Sequence, residues 1–301
     1  MLHYSWVIIM KILNFGSLNI DLIYKVERFA CPGETLDSLA FEKNIGGKGL
    51  NQSVALTRGG GQVYHAGNVG EDGDFLVDFL QSVGVNTDLI QQVDIPSGNA
   101  LIQIDPDGQN GILLYGGANR CVTKEQICEV LSHFEAGDWL ILQNEINQMD
   151  YLIKQAHQKG MTIVLNPSPV AGCETLPLHL VDYLIVNEHE GAQLCSKQGV
   201  EDIIAALPKL YPNTKFVMTL GSEGSVYFDR HTRHVQGTYP TQIVDTTGAG
   251  DTFTGFFFAA LTRGETIPRS MELAARAASI TISRKGAAPV IPTLQEVLAA
   301  E

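Results

Sequence analysis

The stretch Asp245-Thr246-Thr247-Gly248-Ala249-Gly250-Asp251-Thr252-Phe253 puts a carboxylate directly after a glycine-rich turn. The segment after it reads as helix, because Phe253, Phe256, Phe257, Ala260 and Leu261 recur at i, i+3, i+4, i+7 and i+8. The Gly248-Ala249-Gly250 turn therefore sits at a helix N-terminus. There the first N–H groups lack intrahelical acceptors, and glycines let the backbone approach a ligand closely. Such donors, preorganised around a transferring phosphoryl group, are worth roughly 3–4 kcal/mol each by analogy with an oxyanion hole. A carboxylate in a first helical turn ordinarily only complements the helix dipole, for about 0.3–1 kcal/mol. Beside an anion cradle, Asp251 is also placed to act as general base toward an attacking hydroxyl.

A second glycine-rich run, Gly46-Gly47-Lys48-Gly49-Leu50-Asn51-Gln52-Ser53, stands about two hundred residues upstream. It lacks the GxGxxG spacing of a dinucleotide fingerprint, and Gly59-Gly60-Gly61 follows a helical pattern rather than a strand. No GxxxxGK[ST] loop and no protein-kinase motif set occurs. Asn19, Asp21, Lys48, Asn51 and Glu145 each read, taken singly, as a turn cap, a solvated loop charge or a helix-start carboxylate. Taken together, their carboxylate, amide and ammonium groups suit the hydroxyls of a neutral sugar.

These residues need a frame to hold them. From Trp139 onward, strand-like and helix-like segments alternate: strands at Trp139 to Leu142, Thr162 to Leu165, Tyr183 to Val186 and Lys215 to Thr219, helices at Asn147 to Lys159 and Glu188 to Ser196. Ile12 to Phe15 reads as a first strand. The alternation predicts an α/β fold: a three-layer α/β/α sandwich around a mainly parallel sheet, with ligands gathering beyond the carboxyl ends of its strands. Two segments break the rhythm, about 21–46 and 98–118, the latter containing the turn Asp105-Pro106-Asp107-Gly108. They predict a small β-sheet lid within one domain spanning 1–301.

The chain of 301 residues is 45% hydrophobic and 18% charged, which provides for a large core. Its net charge of -13, without any basic run, argues against a nucleic-acid partner. The apolar run from Trp6 to Met10 is too short to span a membrane and lacks the flanks of a signal peptide. Met10-Lys11-Ile12 opens a strand cleanly, which suggests Met10 as the natural start. Five scattered cysteines, Cys31, Cys121, Cys128, Cys173 and Cys195, form no metal motif and read as buried, reduced thiols in a cytoplasmic protein.

On these residues the chain resembles the ribokinase family of carbohydrate kinases, also called the phosphofructokinase-B family. The resemblance covers nearly the whole chain. Its C-terminal motif is similar to Asp245 to Phe253, which implies Asp251 as catalytic base and Gly248, Ala249 and Gly250 as anion hole. Its N-terminal motif is similar to Gly46 to Ser53, and Gly16 to Asp21 and Cys31 to Thr35 resemble the first strand end and lid. The resemblance implies sugar contacts from Asn19, Asp21, Gly47, Lys48, Asn51, Glu145 and Asp251, with ribose favoured over deoxyribose, fructose or a nucleoside. Gly67 to Asp72 resembles a structural turn. For ATP it implies Asn187, Thr219, Gly221, Gly224 and Gly250, with Glu190 on Mg²⁺ through water. For K⁺ it implies Asp245 with the backbone of Thr247, Thr281, Arg284 and Gly286, although Val290 stands where the pattern has Ser and so withholds one oxygen. A homodimer through the lid strands is the expected assembly. The competing class, a silent sugar sensor, would have lost the base or the glycine turn, and both are intact.

Overall fold

The computed structural model describes residues 10–300; the proposal that the chain starts at Met10 concerns residues outside that range. In chain order the elements are β1 (Lys11–Phe15), β2 (Asn19–Lys25), β3 (Ala40–Gly46), α1 (Lys48–Arg58), β4 (Gln62–Val69), α2 (Asp74–Ser82), β5 (Asn86–Gln92), β6 (Gly98–Ile104), β7 (Asn110–Tyr115), α3 (Lys124–Ser132), β8 (Trp139–Gln143) and α4 (Met149–Lys159). There follow β9 (Thr162–Asn166), β10 (Tyr183–Asn187), α5 (Glu188–Cys195), α6 (Val200–Leu210), β11 (Lys215–Thr219), β12 (Ser225–Phe228), β13 (Arg233–Gln236), α7 (Ala249–Thr262), α8 (Ile267–Ile282) and α9 (Leu294–Ala299).

Nine strands form one sheet in the order β13-β12-β11-β10-β9-β8-β1-β4-β5, parallel except where β12 and β13 turn back. Its central strands are apolar on both faces because both faces are covered. Ile12 of β1 joins Leu50, Phe256 and Ala274 of α1, α7 and α8, whereas the next residue, Leu13, joins Ile127 and Leu152 of α3 and α4. That period-two alternation between two helix layers makes the α/β/α sandwich. β1 lies between β4 and β8, so the chain leaves it in opposite directions, and the crevice at such a switch point opens at the strands' carboxyl ends.

The second sheet, in the order β3-β2-β6-β7, starts three residues beyond the end of β1. Asn19 of β2 faces Gly46 on one side and Gly98 on the other. One face reaches the core through Ile20, with Leu22 and Ile45 packed beside it, while Phe41, Ile112, Leu113, Leu114 and Tyr115 are exposed.

Three readings change. Helix α4 begins at Met149 rather than Asn147, because Gln148 adopts a left-handed conformation at φ 58° and closes the turn before it. Gly67 to Val69 belong to β4, where they pair with β5, and only Glu71–Gly73 makes a helical turn. Of the cysteines, Cys173 alone is buried: Cys31 and Cys128 are exposed, Cys121 and Cys195 half-buried. Cys31 falls in the irregular segment between β2 and β3, and Cys128 lies on the solvent face of α3.

Candidate active site

Gly248 caps α7 at φ 75°, a left-handed conformation that glycine adopts without strain, and its carbonyl accepts from the Thr252 amide at 2.8 Å. Asp251 therefore sits in the first turn, 8% exposed. Its carboxylate does not cap its own helix. Oδ2 accepts from Asn51 Nδ2 at 2.9 Å and Oδ1 from Gln52 Nε2 at 3.0 Å, both donors coming from the first turns of α1.

Helix packing brings these groups together. Contacts between α1 and α7 recur one turn apart, Asn51 with Asp251, Ala55 with Gly255 and Gly59 with Ala259, so the helices run parallel with their N-termini side by side. A side chain at Gly255 would collide with Ala55, coming within 2.7 Å of its carbonyl carbon. The glycine is what lets the two backbones approach.

The candidate sugar residues converge on the same place from β2, α1 and the β8–α4 turn. Asn19 Oδ1 accepts from Asn119 Nδ2 at 2.7 Å, which orients it from the short helical turn after β7. Asp21, two residues on, points to the same face of β2. Burial, with the nearby charge of Glu145 adding to it, pushes the Asp21 carboxyl up to about 6. Glu145 accepts from the Ser17 hydroxyl and from the Lys48 amide at 3.3 Å. Burial raises its pKa, the Asp251 charge adds to this, and Ser17 and Lys48 oppose it. The Lys48 ammonium is held protonated chiefly by Asp251, against burial and with help from Glu145 and Glu190. Asp21, Glu145, Asp251 and Lys48 thus act as one electrostatic group. Gly47, at φ 97°, turns the chain from β3 into α1.

A cavity of about 160 Å³ continues from Asp251 and Lys48 past Gly248 to Asn187 and Glu190. It shares Thr219, Thr246, Ala249 and Gly250 with a larger cavity of about 540 Å³ walled by Gly221, Gly224, Tyr239, Ala275 and Ile282. The path from the large, mainly apolar cavity to the carboxylate therefore runs over the glycine turn. Asn187 and Glu190 form a capping box on α5: Asn187 Oδ1 accepts from the Glu190 amide at 2.8 Å, and Glu190 Oε2 from the Asn187 amide at 2.9 Å. Among the described residues no group of three or more His, Cys, Asp or Glu is assembled to hold a metal. Glu190, the one carboxylate at the far end of this cavity from Asp251, fits Mg²⁺, which keeps waters and binds mainly to phosphates.

Asp245, beside the turn, accepts from the Thr247 amide at 2.9 Å and hydroxyl at 2.6 Å, and from the Gly286 amide at 3.0 Å. Burial opposes its ionisation, but these donors hold its carboxyl below the usual range. Thr281 is buried and its hydroxyl meets that of Thr252 at 3.1 Å. Arg284 donates to the Val290 carbonyl at 3.1 Å, and the Val290 methyl lies 3.9 Å from where a Gly286 side chain would start. An ionised carboxylate beside the turn has the charge to attract a cation.

Ser17, Gln52 and Asn119 hydrogen-bond to candidate site residues, and type and spacing do not single them out. Gln52 lies inside the second glycine-rich run, and its place next to Asn51 is the one sequence signal it carries. Ser17 and Asn119 act on residues 128 and 100 positions away, and no local pattern marks them.

Residues 10–294 match the model of the pfkB family carbohydrate kinases. The ribokinase of Bacillus subtilis is 34% identical over 292 residues, covering 95% of this chain and 98% of its own. The crystal structure of the Cryptococcus neoformans ribokinase with ADP and the structure of the Arabidopsis thaliana ribokinase with ribose and ATP superpose with TM-scores of 0.88 and 0.86. Both are 31% identical to this chain; the first covers 97% of it and all of its own length, the second 96% and 98%.

Proposed function

The chain belongs to the pfkB family of carbohydrate kinases, and from that premise we propose that it transfers the γ-phosphoryl group of ATP to the primary hydroxyl of ribose, giving ribose 5-phosphate and ADP. One observation carries the reading. The cavity that would take a nucleotide leads over the Gly248-Ala249-Gly250 turn to the buried carboxylate of Asp251, beside Lys48.

In this reaction Asp251 accepts the hydroxyl proton as the sugar oxygen bonds to phosphorus and the bond to the ADP oxygen breaks. The amides of Gly248, Ala249 and Gly250, at the positive end of α7, receive the charge of the group in transfer. Asn19, Asp21, Gly47, Lys48, Asn51 and Glu145 orient the sugar. Thr219, Gly221, Gly224 and Asn187 line the nucleotide's path. Glu190, through water, would hold magnesium, which would supply charge neutralisation for the phosphates. Asp245 with the carbonyls of Thr247, Thr281, Arg284 and Gly286 would hold potassium beside the turn.

The small sheet serves as a lid that shields the transfer from water, and its exposed edge strand β7 serves a homodimer. Four successive apolar side chains, Ile112 to Tyr115, support that assembly, and sedimentation of wild type against Leu113→Lys tests it. Five free cysteines suit the cytoplasm. Among the described residues no helix is long and apolar enough to cross a membrane. The deciding experiment is coupled ADP release across ribose, deoxyribose, fructose and nucleosides, in potassium and in sodium. Ribose with potassium is expected to be fastest, and sugar-independent ADP release would defeat the proposal.

A further inference from the structure

Asp251 is held by an amide whose own direction is fixed elsewhere in the fold. Gln52 Nε2 donates to Asp251 Oδ1 at 3.0 Å, and Gln52 Oε1 accepts from Gln143 Nε2 at 2.7 Å. The same Gln143 nitrogen donates to Asn14 Oδ1 at 3.0 Å, and Asn14 Nδ2 donates to the Gly49 carbonyl at 2.7 Å and to Ser53 Oγ at 2.8 Å. Asn14, Gln52, Ser53 and Gln143 are all 0% exposed, so no bulk water competes for these bonds.

A primary amide donates at one end and accepts at the other, and a half-turn exchanges the two. A peptide carbonyl only accepts. The Gly49 carbonyl therefore dictates that Asn14 turns its NH₂ toward it and its oxygen toward Gln143. Gln143 must then offer its NH₂ to Asn14 and Gln52, and Gln52 must offer its own to Asp251. Asn166 reinforces the same direction: its Nδ2 is anchored on the Ile185 carbonyl at 2.9 Å, leaving its oxygen 3.4 Å from Gln52 Nε2. Were Gln52 free to flip, its oxygen would oppose the carboxylate.

We propose that Gln52 is a positioning residue for phosphotransfer, and that Gln143, which does not touch Asp251, acts on it only through Gln52. This rests on the kinase reading of the site. A donor directed at a carboxylate holds it in place. Lys48 from α1 and Glu145 from the β8–α4 turn are also electrostatically coupled to Asp251.

The test uses the full chain with ribose, ATP and magnesium, with thermal unfolding and ADP affinity as checks on the fold. Gln52→Met keeps the volume and removes the donor. It should lower kcat about 10- to 100-fold with KM for both substrates within about threefold. Gln143→Met should lower kcat by less, again with KM held. The double variant should be no slower than Gln52→Met alone, since residues acting in series are not additive. Should Gln52→Met not fold, Gln52→Glu keeps shape and acceptor while setting a second carboxylate against Asp251, and it should lose more kcat. Folded variants whose loss falls on KM rather than kcat, or losses that multiply in the double variant, would overturn the proposal while the kinase reading stood. A wild-type protein without sugar-dependent ADP release would overturn both.

Discussion

The two ends of the candidate site are built differently. At the phosphate end, Asp251 rides on α7, a helix buried from Asp251 to Ala260, and is met by α1 through contacts that leave no room for a methyl group. At the sugar end, Asn19 and Asp21 ride on a small sheet whose β7 strand is exposed at nearly every position. Geometry at the first end is set by packing, which tolerates little change of volume. At the second it is set by hydrogen bonds and charge, which respond to proton and ligand. The end proposed to hold the base against a phosphoryl group is the one without slack.

The largest expected effect removes the chemistry and leaves the packing. Asp251→Asn keeps the size of the side chain but cannot take the proton, so kcat should fall about 10³-fold or more while sugar binding by calorimetry persists. Near wild-type turnover would mean that the rigid end holds something other than the base. Next comes the packing itself. Gly255→Ala inserts a Cβ against Ala55 and should lower stability by about 1–3 kcal/mol in denaturant titration, with a fall in kcat as Asn51 and Gln52 lose their aim at Asp251. By contrast Leu113→Ser, at a site 69% exposed on β7, should change monomer stability by less than about 0.5 kcal/mol. Equal losses at the two sites would erase the distinction.

The sequence displays the two ends unequally. The helical period after Asp251 and the glycine turn before it are local features, and they put the proposed base and the cradle on one helix start. The alternation from Trp139 onward gives the parallel sheet for the same reason, since period and turn chemistry are short-range. The capping box at Asn187 and Glu190 is also legible as Asn-x-x-Glu, but that spacing does not separate a helix cap from a phosphate contact. What no local pattern carries is the meeting of elements: Gln52 with Asp251 across 199 positions, Gln143 with Asn14 across 129, Asn119 with Asn19 across 100. A buried glutamine is unremarkable until the fold supplies its partner. The start of α4 is hidden for a different reason: Gln148, in a left-handed conformation, breaks a helical pattern, and its residue type does not announce the break.

The smallest effect belongs to the adaptable end and is a matter of protons. Burial first, and the Glu145 charge second, raise Asp21 from 3.8 to about 6, so the sugar-free protein keeps this carboxyl protonated in mildly acidic solution. Linkage gives the sign. The folded state binds this proton more tightly than the unfolded chain, so the stability it confers is full below 3.8 and is lost as pH rises through about 6. Sugar binding runs the other way, since an ionised carboxylate accepts from hydroxyls with both oxygens. Sugar affinity should therefore rise about tenfold from pH 5 to pH 7, with its midpoint near 6, measured by calorimetry. Asp21→Asn should bind more weakly and flatten that rise. Glu145→Gln removes the neighbouring charge and should move the midpoint to lower pH, provided the variant still binds sugar. A flat wild-type profile would mean that the sugar end is held as firmly as the phosphate end, and that the contrast between them is one of exposure alone.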